Sequence, residues 1–250
     1  MRKEEVGELK VVSNLRTSHA KVVEQLGLAI VGGRFSIGEP LPGDTELEAQ
    51  FGVSRSVLRE AMKTLTAKGL IVAKSRVGTR VTDRCHWNLV DEDVLRWHFR
   101  TGVTAEFIDH LYDVRLVLEP ASAAFAARRA SAEDCAELRY YAMLLGSNEL
   151  DWQGQVEADL RFHVLLTLVG ANPFLESMVG FIKASLDGAF TMAFDPQLAG
   201  RGDAITELHM AIVNAIEQRD PEAARAATER AIEQGRAAAL KAVESSRKRG

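Results

Sequence analysis

Residues 53–70 read VSRSVLREAMKTLTAKGL. Val57, Leu58, Ala61, Met62 and Leu65 recur at helical spacing, so one face of a helix is apolar. Arg55, Arg59, Lys63 and Lys68 punctuate the rest, and Ser54 stands where a helix-capping oxygen is favoured. Gly69 supplies a stop. The question is whether this is merely a charged surface helix or one shaped to lie in a nucleic-acid groove.

The flanks narrow the choice. Upstream, HAKVVEQLGLAIV (19–31) places Val22, Val23, Leu26, Ala29 and Ile30 on one face of a first helix, and the paired glycines of GGRFSIGEPLPG end it. A second helix is expected from Asp44 or Thr45, with Thr45 and Glu48 as a capping box, Leu47 and Phe51 inward, and Gly52 as its stop. Downstream the period changes: LIVAKSRVGTRVTD (70–83) is β-branched about a turn-like SRVG and reads as a two-stranded hairpin. Three short helices, a glycine-bearing turn FGVS and a hairpin compose a winged helix-turn-helix.

Charge agrees. The net charge of −4 hides a basic segment: within 54–84 there are eight Lys and Arg against two Asp and Glu, on an otherwise acidic chain. That suggests a polyanion partner for one part only. In such a motif the first turns of the recognition helix face base edges and phosphates. Arginine can read guanine with two parallel hydrogen bonds, and serine can hold phosphate or base. Arg55, Arg59, Ser54 and Ser56 are therefore candidate contacts to double-stranded DNA, with Lys74, Arg76 and Arg80 added by the wing.

Residues 1–18 are polar and aperiodic and are expected to be mobile, as is the tail from 244. Residues 85–104, with Trp87 and Trp97, read as a packed linker. Residues 105–243 carry only helical signals, so the expected body is an all-α bundle of about six or seven helices. Pro120 marks a bend or junction; Ser131 caps a helix with Glu133 and Asp134 in its first turn; Asn172-Pro173 and Asp220-Pro221 open others. The fold class is thus mainly α, with one small β-hairpin. Two isolated cysteines, Cys85 and Cys135, suggest a reducing compartment and a cytoplasmic location. No apolar run is long enough for a membrane span.

Asp159 and His163, four residues apart, share a helix face. Carboxylate and imidazole suit a divalent ion such as zinc, and equally a plain surface hydrogen bond. His209 sits on another helix and reads alone as a core histidine. Arg115, in the apolar run VRLVLEP (114–120), needs an acidic partner: Glu119 four residues on, or the carboxylate of a small-molecule ligand. A metal-assisted hydrolase built on Asp159, His163 and His209 is the enzymatic alternative. The chain has no GxSxG, HExxH, P-loop or GxGxxG to support it.

The run AIVGGRFSIGEPLPGDTELEAQFGVSRSVLREAMKTLTAKGLI (29–71) resembles the N-terminal domain of GntR-family transcription regulators, over about residues 19–82. The resemblance implies DNA contacts at Ser54, Arg55, Ser56, Arg59 and the wing glycine Gly78. Many relatives carry arginine where this chain has Thr45, which implies a different operator half-site. VRLVLEP, EADLRFHVLLTLVGANP (157–173) and ELHMAIVNAIEQRDPEAA (207–224) resemble the FCD effector-binding domain of the FadR branch. WNLVDEDVLRW (87–97) is similar to the subgroup containing the galactonate operon repressor. These resemblances imply a homodimeric repressor released by a small carboxylate such as a sugar acid. Arg115, Asp159, His163 and His209 would line its effector site. They further imply that Asp159, His163 and His209 match three of four metal positions. The fourth is Ala231, leaving either a three-ligand site or a cluster that keeps only its hydrogen bonds. A constitutive DNA-binding dimer without effector is the remaining alternative.

Overall fold

The computed structural model describes residues 18–74, 78–147, 150–193 and 202–247. The chain divides into two compact units, Met1–Gly102 and Val103–Gly250.

In the first unit, α1 (18–31) lays Val22, Leu26 and Ile30 into the core, and α2 (Asp44–Phe51) adds Leu47. Gly52 takes a left-handed conformation at the end of α2, its φ of +64° being open to glycine at little cost. The chain then enters α3 (Arg55–Ala67), which buries Val57, Leu58, Ala61 and Leu65. Strands β1 (Ile71–Lys74) and β2 (Gly78–Val81) pair antiparallel, Ile71 opposite Val81 and Lys74 opposite Gly78. The loop before α2 joins the other edge of β2 through Leu41 N–H to Thr79 O and Val81 N–H to Glu39 O.

Two capping expectations are corrected. The N-cap of α2 is Gly43, so Thr45 lies inside the helix and no side chain caps it. Ser54 does occupy the N-cap of α3, but its hydroxyl meets Ser56 Oγ at 3.0 Å instead of a backbone amide.

The segment read as a linker is ordered helix in its second half. α4 (Glu92–Thr101) is capped by Asp91, which accepts from the N–H groups of Asp93 and Val94. It buries Val94, Leu95 and Trp97. The Trp97 indole lies on α1 where Gly27 has no side chain: a Cβ there would come within 2.4 Å of the ring. Trp97 N–H donates to Glu24 at 2.7 Å. Gly69 has φ +78°, and a Cβ on it would stand 1.9 Å from the His86 carbonyl oxygen. The segment after the wing therefore returns directly over the end of α3.

The second unit is all helix: α5 (Ala105–Arg129), α6 (Ala132–Leu144), α7 (Trp152–Val169), the single turn α8 (Pro173–Glu176), α9 (Val179–Ala193), α10 (Gly202–Glu217) and α11 (Pro221–Arg247). The bundle expectation is met. α5 packs against α7, α10 and α11. The bend expected at Pro120 is not a break: α5 runs 25 residues through it. An internal proline forfeits one N–H bond and crowds the preceding turn, at about 3 kcal/mol. Burial of α5 along Ile108, Tyr112, Ala123 and Ala126 outweighs that. Ser131 closes a full capping box with Asp134, and Asn172 accepts from Phe174 N–H, as the sequence suggests. α11 continues to Arg247, past the point where fraying was expected. Expectations for residues 1–17 and 248–250 fall outside the described residues.

The core of this unit is alanine-rich: Ala123, Ala126, Ala127, Ala142, Ala224 and Ala227 pack with Leu138, Phe162, Leu166 and Ile212. Small side chains let helices approach closely, and that proximity brings polar groups of α5, α7 and α10 together.

Candidate DNA interface and buried polar centre

The outer end of α3 presents Ser54, Arg55, Ser56 and Arg59, all exposed. No side chain caps the amino end of α3, so its first N–H groups stay available to an anion. Arg55, Arg59 and Lys74 form no hydrogen bond or ion pair with other described residues. Thr45 is exposed on α2, and Gly78 is exposed with φ +89° at the start of β2. Arg76 lies outside the described residues.

Other basic residues of α3 and the wing serve the protein itself. Lys63 pairs with Glu60 at 2.8 Å. Lys68 is buried; its ammonium sits 2.7 Å from Asp91 and 2.8 Å from Asp93. Burial opposes its charge, but the two carboxylates prevail and raise its pKa. Arg80 donates to the Gly38 carbonyl at 2.6 Å. Counting charges by sequence thus overstates what faces a ligand: Lys68 is a clasp between α3 and α4.

The second unit holds a buried polar centre. Tyr112, Arg115 and Glu119 follow one another along the inward face of α5, and Asp159 and His163 share a face of α7. His209 comes from α10. Arg115 is buried and forks onto Glu119, Nε to Oε1 at 2.6 Å and Nη2 to Oε2 at 3.3 Å, with the Tyr112 ring 4.8 Å beneath the guanidinium. Of the two partners open to Arg115, the internal one is present. Glu119 also lies 2.6 Å from His163 Nδ1, an ion-pair distance without the alignment of a hydrogen bond. Burial alone would push the Glu119 carboxyl up; the Arg115 guanidinium and His163 reverse this and hold it at about 2. Asp159 is likewise lowered against its own burial, by His163 and His209. His163 is raised, Glu119 and then Asp159 overcoming desolvation.

The imidazoles are oriented from behind. His209 Nδ1 meets the Ile205 carbonyl at 2.8 Å, so Nδ1 carries the proton and a neutral ring presents a lone pair at Nε2. That Nε2 faces Asp159 Oδ1 at 3.0 Å and His163 Nε2 at 3.3 Å. Lone pairs of two rings and a carboxylate so close repel unless a proton or cation lies among them. In a tetrahedral site with bonds of about 2.0–2.1 Å, neighbouring donors stand about 3.3 Å apart. The three donor atoms lie within 4.8 Å of one another, and theirs is the metal-competent cluster found among the described residues. Backbone carbonyl and carboxylate partners behind ligand imidazoles are the usual second support of such a centre. The donor set therefore fits a divalent ion of the zinc type. Ala231, on α11, adds no donor. Phe162 closes the site edge-on to both rings, at 5.5 and 4.8 Å between centroids.

Glu119 as a hub between Arg115 and His163 is beyond the sequence reading, which saw it only as a neighbour four residues on. The signal was there: Tyr112, Arg115 and Glu119 at i, i+3 and i+7 share one face of α5.

Comparison with known proteins follows the division into units. Residues 19–81 match the family described as bacterial regulatory proteins, gntR family, and residues 110–234 match the FCD domain. The chain is 34% identical to the uncharacterized HTH-type transcriptional regulator YieP of Escherichia coli, over 83% of this chain and 89% of that protein. It is 33% identical to the galactonate operon transcriptional repressor of the same organism, over 83% of this chain and 90% of the other. Among solved structures, Lar of Listeria monocytogenes aligns with a TM-score of 0.60 at 22% identity, over 89% of this chain and 96% of that one, a likeness of fold.

Proposed function

The chain belongs to the gntR family of bacterial regulatory proteins with an FCD domain, and from that premise we propose that it is a homodimeric repressor whose hold on DNA is released by a small carboxylate. It is a DNA-binding transcription regulator and not an enzyme, which sets aside the hydrolase alternative. Among the described residues no helix is long and apolar enough to cross a membrane.

On this reading Ser54, Arg55, Ser56 and Arg59 engage the operator, and Thr45, Arg76 and Gly78 are further candidate contacts. Two copies read a two-fold site, and the second half-site gains from effective concentration. Asp159, His163 and His209 hold a divalent ion, which supplies a Lewis-acid anchor for a carboxylate or hydroxyl. Arg115 gives the effector's carboxylate a second cationic partner, for which Glu119 competes. The observation that carries this reading is the convergence of two imidazole Nε2 atoms and a carboxylate beside a buried arginine. Likeness to the galactonate operon repressor favours a hexonate as effector. A ligand regulates only if it binds one arrangement of the dimer better than the other.

The test is a thermal-shift titration with a panel of sugar acids before and after chelation, alongside operator binding. Stabilisation should grow as RT ln(1 + [L]/Kd). Operator affinity should fall in step. A hexonate shift that vanishes on chelation and returns with zinc supports the three-ligand site. A shift that survives chelation retains the effector and removes the metal from the reading. No shift with any sugar acid overturns the choice of ligand.

A further inference from the structure

Two buried side-chain atoms lack a hydrogen-bond partner among the described residues, and both belong to the second unit: His163 Nδ1 and the hydroxyl oxygen of Thr206. The first has the Glu119 carboxylate 2.6 Å away, so only the second, on α10, is left unmatched. Burying a hydroxyl without a partner is unfavourable, because the water it gives up is not replaced. The common remedy inside a helix is the carbonyl four residues back. Ser122, Thr167, Ser185 and Thr228 all adopt it, donating to the carbonyls of Leu118, His163, Phe181 and Ala224 at 2.7–3.0 Å. Thr206 does not, although α10 begins at Gly202 and so provides a carbonyl at that spacing.

Thr206, His209, Val213 and Ile216 recur at three- and four-residue spacing, so they share one stripe of α10, and the last three are buried. Thr206 therefore stands one turn before His209 on the inward side, with Cβ atoms about 5–6 Å apart. We propose that Thr206 is a specificity-determining residue of the effector site, and that the effector is a polyhydroxy acid with a hydroxyl several carbons from its carboxylate. The chemistry divides between the two ends of such a ligand. A carboxylate only accepts, and Arg115 with the Asp159–His163–His209 cluster serves it. A distal hydroxyl both donates and accepts, and the Thr206 hydroxyl can meet it in either role. A two-carbon hydroxy acid satisfies the charged groups and leaves Thr206 unpaired, whereas a hexonate has chain enough to reach one helical turn further. A site that hydrogen-bonds a ligand hydroxyl discriminates against analogues lacking it. The inference rests on the effector reading above and specifies how that site tells a sugar acid from a shorter one.

The experiment uses the full chain with zinc present, titrated calorimetrically with galactonate and with glycolate. Thr206→Val should raise the galactonate Kd about tenfold and leave that of glycolate within about twofold, while Thr206→Ser, which keeps the hydroxyl, should hold galactonate within about threefold of the parent. Melting of the free protein gives a second readout. Thr206→Val removes a hydroxyl that has no partner, so it should melt at or above the parent; Thr228→Val removes a bonded one and should melt below it. A Thr206→Val variant that binds galactonate as the parent does, loses glycolate equally, or melts well below the parent overturns the role of Thr206 and leaves the effector reading in place. A parent protein that binds neither galactonate nor any other sugar acid overturns the effector reading itself, and the inference falls with it.

Discussion

Replacing Glu119 with glutamine keeps the shape of the polar centre and removes one charge. Arg115 then stays buried with its fork facing a neutral amide, and a guanidinium cannot shed its proton to escape. Stranding one partner of a buried pair costs about 3–5 kcal/mol. The reverse substitution, Arg115→Met, is milder. Glu119 still has His163 at 2.6 Å, and burial lets it take up a proton if the remaining attraction is too weak. That loss should be about 1–3 kcal/mol. The two partners of one ion pair are therefore unequal by about 2 kcal/mol, Glu119 being the costlier to lose. The assay is hydrogen exchange read by mass spectrometry across a urea series, on peptides from α5 and α7, with chelator present. Peptide resolution separates this unit from the DNA-binding one. A loss below about 1 kcal/mol for Glu119→Gln, or an Arg115→Met variant equally unstable, would refute the reasoning.

The same carboxylate gives an acid signature. With its folded pKa at about 2 against an ordinary 4.5, Glu119 contributes stability that is complete above pH 4.5 and is lost as pH falls toward 2. The full effect is about 3 kcal/mol; Tm measured against pH should fall less steeply there in Glu119→Gln. Gly69→Ala should destabilise the N-terminal unit by more than about 2 kcal/mol, since left-handed backbone strain adds to overlap with the His86 carbonyl. Exchange in α5 should not change, and a variant as stable as the parent would show that the segment after the wing yields freely. Arg55→Ala and Arg59→Ala should weaken operator binding, and removing each phosphate contact should reduce the salt dependence by about one unit of slope. Lys68→Met should leave that slope unchanged and lower the stability of the first unit instead. Filter binding across a salt series separates the two behaviours.

Much of the first unit was legible because its signals are local. Gly52 and Gly69 sit at left-handed positions that little but glycine fills easily, and the change from period 3.6 to period 2 after Gly69 marks the wing. Caps were read unevenly. Ser131 and Asn172 act as their sequence suggests, whereas the Thr45–Glu48 pair is a false box because the N-cap of α2 lies two residues earlier, at Gly43. At Pro120 the junction is excluded for a tertiary reason: burial of α5 before and after it carries the helix across a residue that would end an isolated one. Of the polar centre, the Asp159–His163 face was local and readable. Its closure by His209, 46 residues on, comes only from the packing of α10 against the bundle, and the bridge from Glu119 to His163 joins two helices. Lys68 shows the same limit in the DNA-binding unit. Sequence places it among the basic residues of the recognition helix, and only the fold delivers Asp91 and Asp93 to it.

The indole of Trp97 resting on Gly27 has a practical bearing on how such regulators can be recombined. α4 and the segment leading into it are stitched to the reading head at three points: Trp97 on α1, Lys68 between Asp91 and Asp93, and His86 over Gly69. A chimera spliced directly after the wing, near residue 84, would graft a head whose first helix has a bare apolar flank and whose third helix ends in a stranded ammonium. A junction placed after Gly102 transfers the clasp intact. Where family members are to exchange operators while keeping their effectors, the module to move is the head together with its indole latch.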